Sequence, residues 1–132
     1  MYEYNAKILK VYDGDGVFHA NVDMGMNLFQ RKEIRLYGYD APEMRGNHYD
    51  AGVIVRDYVR SLILDKDVVI ITKKDKSGKY GRLLADIIIN GVDLGKHLFE
   101  KKYVKIYNGG KKEIWTNENL NDIISENKKD NE

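Results

Sequence analysis

The chain has 132 residues, 42% hydrophobic and 33% charged, enough for one domain with a single modest core. Its net charge of +1 and pI near 7.8 exclude a globally basic surface, so any patch that attracts polyanions must be local. The absence of cysteine excludes disulfides, zinc–thiolate sites and thiol nucleophiles together.

The opening residues MYEYNAKILKVYDGD contain no apolar signal core and no run of membrane length. A cytoplasmic chain without a membrane anchor is therefore the expectation. Residues 6–12 mix Ile8, Leu9, Val11 and Tyr12 with lysines and read as a first strand. Asp13-Gly14-Asp15-Gly16 follows as a tight turn carrying two carboxylates. Phe18, Ala20, Val22 and Met24 then alternate with polar residues, the period of a half-buried strand. Residues 29–37 give a third strand, with Ile34 and Leu36 on one face and Glu33, Arg35 and Tyr37 on the other. Short turns between these three strands predict an antiparallel meander.

The third strand ends in Gly38-Tyr39-Asp40-Ala41-Pro42-Glu43. Glycine permits the bend, and Pro42 fixes its own φ and biases Ala41 toward extended backbone, so the turn is expected to be stiff. Two carboxylates beside Arg35 suit a hard cation and an anionic substrate, although a plain surface turn with a salt bridge would present the same residues.

After a polar loop, Ala51, Val55, Tyr58, Val59, Leu62 and Ile63 recur at helical spacing, predicting an amphipathic helix that ends near Leu64. Residues 68–72 read as a strand, 73–81 as a lysine- and glycine-rich loop, and 82–89 as a strand closed by Asn90-Gly91. A second helix is expected over 94–102 and extended chain over 103–107. Leu120, Ile123 and Ile124 would support one or two helical turns, and 127–132 should be disordered. Residues 1–115 are thus the expected domain and 116–132 a polar, partly disordered tail, with no room for a long C-terminal helix. Trp115 reads as a lid on the core.

This order predicts an α+β, mainly β protein: a five-stranded Greek-key OB-fold barrel with two or three helices. Asp13, Asp15, Arg35, Asp40, Glu43, Lys79, Tyr80 and Arg82 all fall at strand ends or turns, which barrel closure could bring to one rim. Calcium takes six to eight oxygen ligands at ~2.3–2.6 Å, and carboxylates with a turn carbonyl would supply several of them. Paired arginines suit a phosphodiester, and a carboxylate can act as general base toward water.

Asp13-Gly14-Asp15, Ile34-Arg35-Leu36 with Asp40-Ala41-Pro42-Glu43, and Lys79-Tyr80-Gly81-Arg82-Leu83 resemble, in order and spacing, the motifs of the staphylococcal-nuclease-like (thermonuclease) family. The resemblance covers residues 6–115. It implies a Ca²⁺-dependent phosphodiesterase acting on DNA and RNA that leaves 3′-phosphate products. By resemblance, Asp15, Asp40 and the Ala41 carbonyl hold the metal, Arg35 and Arg82 bind the phosphate, and Glu43 is the general base. Lys79, Tyr80 and, more loosely, Tyr107 match substrate contacts. Gly16 departs from the family's usual threonine, and a looser metal loop is expected. A monomer is expected, and a non-catalytic OB module that binds nucleic acid or a protein is the alternative.

Overall fold

The computed structural model describes residues 2–15, 18–77 and 82–131. Gly16, Lys79 and Tyr80 lie outside the described residues. Strands β1 (Tyr2–Val11), β2 (Phe18–Gly25) and β3 (Leu28–Leu36) form the expected antiparallel meander. Alternation puts Phe18, Ala20 and Val22 of β2 and Ile34 and Leu36 of β3 into the core. In β1, Ala6 and Ile8 are buried, and so is Val11 at the opposite parity. A bulge between Ile8 and Lys10 makes this possible, because one extra residue reverses which side chains face inward.

The two-residue strand β4 (Tyr39–Asp40) follows the bend at Gly38, whose φ of +86° suits glycine as expected. Helix α1 (Tyr49–Ile63) buries Ala51, Gly52, Val55, Val59 and Ile63 along one stripe. Strand β5 (Asp67–Ser77) continues five residues beyond the expected end at Thr72 into the predicted lysine-rich loop. Strand pairing is carried by the backbone, and Lys73 reaches Asp86 at 2.7 Å, so these polar residues are compatible with a strand. Strand β6 (Leu83–Ile89) pairs antiparallel with β5 and parallel with β3. The parallel seam, Ile34 with Leu83 and Leu36 with Ala85, closes a five-stranded mixed barrel in the order β1-β2-β3-β6-β5. The OB-fold expectation holds.

The short strand β7 (Val92–Asp93) leads into α2 (Leu94–Glu100), which Asp93 caps through the Lys96 amide. Strand β8 (Lys105–Ile106) pairs antiparallel with β4, matching Asp40 to Lys105. The C-terminal segment differs from expectation: α3 runs from Asn117 to Asp130, well past one or two turns, and continues where disorder was expected from residue 127. Thr116 and Asn119 form a reciprocal capping box at its start. Leu120 and Ile123 are buried in the common core, and Lys101 meets Asp130 at 2.8 Å near its end. Tertiary packing thus sustains a helix whose own sequence is mostly polar.

Candidate active site

The two aspartates singled out in the sequence are brought together at one end of the barrel, and both are about 5% exposed. Asp15 reaches this position because its turn lies directly against α1: a Cβ on Gly14 would stand 2.4 Å from Val55 Cγ1 and 3.0 Å from Ala41 Cβ. The Asp15 carbonyl accepts from the Leu36 amide at 2.7 Å, and its Oδ2 accepts from the Ala41 amide at 2.8 Å. The Asp15 turn is therefore tied to β3 through its backbone carbonyl and to the stiff turn through its carboxylate. Gly52 performs a similar service on the other side, since a Cβ there would sit 2.5 Å from the Glu43 carbonyl oxygen.

Arg35 points away from the core, as strand parity requires, and turns its guanidinium to Asp15, with Nη1 and Nη2 each 3.4 Å from a carboxylate oxygen. Burial nevertheless pushes the Asp15 carboxyl up to about 7; Arg35 opposes this, and Asp13 and Asp40 add to it. The negative charges of Asp13 and Asp40 act on the buried Asp15 carboxyl, and a cation there would relieve them. The donor set is all oxygen, the preference of a hard ion such as Ca²⁺. Among the described residues no three His, Cys, Asp or Glu side chains converge on one point, so backbone oxygen and water would complete any shell.

Asp40 is held from the far end of the chain. Trp115 Nε1 donates to its Oδ2 at 3.2 Å, and Lys112 Nζ lies 3.2 Å from its Oδ1. Trp115 is a core residue, as expected, and a partner of the candidate ligand as well. Lys105 sits over its ring at 5.1 Å and also binds the Ile114 carbonyl and Asn119 Oδ1. This arrangement links Asp40 to the cap of α3.

Glu43 is placed differently. It is solvent-exposed and receives a 2.6 Å hydrogen bond from Arg45 Nε. That bond holds its carboxyl below the usual range, with Lys112 and His48 contributing from a distance. Arg82 lies just before β6, where the parallel seam sets it next to β3; its Nε is 3.5 Å from Glu33 Oε2. Glu33 also meets His19 at 3.4 Å, and His19 in turn contacts Arg31 at 2.9 Å. His97 is occupied by the Tyr58 hydroxyl at 2.6 Å.

Tyr107 borders the site, with Arg35 Cζ 6.0 Å and Lys112 Nζ 5.4 Å from its ring centre. A cavity of about 140 Å³ lies beside Arg35, Gly38, Leu84 and Tyr107. A larger groove of about 550 Å³ around Lys7, Asn21, Phe29 and Asn90 includes none of the candidate residues. Sequence reasoning missed Lys112 and Glu33 as partners of Asp40 and Arg82. Glu33 was findable, since it shares a strand face with Arg35 two residues away; no local pattern marks Lys112.

Among the described residues, no helix is long and apolar enough to cross a membrane. No curated protein matches the chain at a significant level. The family described as staphylococcal nuclease homologue matches residues 33–131, a span that includes Arg35, Asp40, Glu43, Arg82 and Trp115 and begins after Asp15. With three quarters of its length matched in this way and a closed OB-type barrel beneath it, the chain belongs to the staphylococcal nuclease homologue family.

Proposed function

We propose that this protein is a Ca²⁺-dependent nuclease that hydrolyses phosphodiester bonds of DNA and RNA and leaves 3′-phosphate ends, acting as a monomer. The observation that carries the reading is the burial of Asp15 and Asp40 at one barrel end, with Arg35 directly on Asp15. Asp15, Asp40 and the Ala41 carbonyl would hold the ion, which when bound supplies positive charge to a phosphate oxygen and lowers the pKa of water. Arg35 and Arg82 bind the phosphate oxygens and stabilise the charge that builds on them as water adds to phosphorus. Glu43 accepts the water's proton as its oxygen bonds to phosphorus; the bond to the 5′ oxygen breaks, and that oxygen takes a proton from solvent water to leave as a hydroxyl. Lys79, Tyr80 and Tyr107 contact the substrate around the reacting phosphate.

A second reading, a nucleic-acid-binding module without catalysis, draws on the Glu43–Arg45 pair, which engages the general base at the surface. Digestion of single-stranded DNA with calcium, with chelator, and by Arg35→Ala, Arg82→Ala and Glu43→Gln separates the two. The nuclease reading expects calcium-dependent cleavage that falls by ~10²–10³ in each variant. Binding of the strand by a folded wild type that never cleaves it would favour the module.

A further inference from the structure

Asp40 has two carboxylate oxygens and a different partner on each. Oδ2 takes the indole N–H of buried Trp115, and Oδ1 takes the ammonium of Lys112. The two partners differ in how firmly they are held. Trp115 is 6% exposed and packed in the core, immediately before the capped start of α3. Lys112 has a side chain 46% exposed and follows Gly109-Gly110 on irregular chain between β8 and α3. Asp40 itself is fixed by the β4–β8 pairing. The exposed member of the Lys112–Asp40 pair, the one that can swing into solvent, is therefore the lysine.

From this contact we propose that Lys112 is a tethered counter-ion of Asp40, which a divalent cation must displace to reach the carboxylate, while Trp115 keeps the other oxygen in place. The inference rests on the metal reading of the site. The ammonium and a divalent cation cannot share Oδ1 at contact distance, because like charges repel each other strongly in a partly desolvated site. Lys112 also acts on Glu43 and lies over Tyr107, so it stands among the candidate residues. Its departure would open the space between Asp40 and the phosphate-binding side. The outcome is a site whose calcium affinity is set below what its carboxylates alone would give.

The test is calcium binding by isothermal calorimetry at fixed ionic strength, on wild type, Lys112→Gln and Lys111→Gln, without substrate. Lys111 is exposed and carries the same charge one residue away, so it controls for long-range electrostatics. Emission of Trp115, the only tryptophan, gives an independent optical titration. Lys112→Gln should bind calcium roughly three- to tenfold more tightly, with Lys111→Gln within about twofold of wild type. If Lys112→Gln fails to fold, Lys112→Met keeps the side-chain length beside Tyr107 and takes its place. Unchanged or weaker binding by the Lys112 variant, or equal tightening by Lys111→Gln, overturns the proposal and leaves the metal site standing. Calcium uptake by none of the proteins removes the metal reading and this proposal with it.

Discussion

The buried carboxylate of Asp15 gives the site its pH dependence. Its pKa is raised in the fold to about 7, chiefly by burial, from 3.8. A raised carboxyl favours the folded state while protonated, so this stabilisation is fully present below the unfolded value and is lost as pH rises through about 7. In chelator, Asp15→Asn should therefore gain thermal stability over wild type between acid pH and pH above 7, with little difference at the acid end. Melting curves of both proteins across this range check it; a constant difference would mean that Asp15 ionises freely in the fold. The residue scale was also the most legible in sequence. Arg35 could be aimed outward from strand parity alone, because Ile34 and Leu36 had to face the core. The partners of Asp40 could not, because Trp115 lies 75 residues downstream and only the fold brings it back.

Among the elements, the turn carrying Asp40 and Glu43 is set by its fit against α1. Gly52 lies in the buried stripe of that helix, and a methyl group there would collide with the carbonyl oxygens of Glu43 and Pro42 at 2.5 and 3.0 Å. Backbone cannot swing aside as a flexible side chain can. Gly52→Ala should thus cost about 1–3 kcal/mol of stability and displace the turn. Its denaturation midpoint should fall and, on the nuclease reading, its cleavage rate with it, both measured on the same variant. The strands and α1 were readable because their apolar residues keep periods of 2 and 3.6. Helix α3 was not, since its inward face rests on only Leu120 and Ile123 and its partner α1 is far away in sequence. Leu120→Ala, truncating a 3% exposed side chain, is expected to cost about 2–5 kcal/mol, read as a lower denaturation midpoint. A loss below about 0.5 kcal/mol would mean that α3 is not docked in solution.

Considered as one molecule, the fold gathers the candidate residues toward one rim of the barrel. The meander alone leaves Arg82 remote from Arg35; the parallel pairing of β3 with β6 sets Arg82 beside Glu33, on the outward strand face that also carries Arg35. That closure follows from the order of elements, which is why the barrel was legible although the seam's register was not. A net charge of +1 allows no broad field to draw in polyanions, so attraction must come from the few cations at this rim. If Arg35, Arg82 and Lys79 are the phosphate contacts, single-stranded DNA should release about three counterions' worth of salt dependence. Each contributes about −0.7, so log K against log salt should fall with a slope near −2. Binding by Glu43→Gln, titrated with salt at constant calcium on a timescale short against its slowed cleavage, measures that slope. A slope steeper than about −5 would require a second basic surface and an extended path for the strand. A slope near −2 that drops by about 0.7 in Arg82→Ala would confine recognition to the rim that the barrel closure builds.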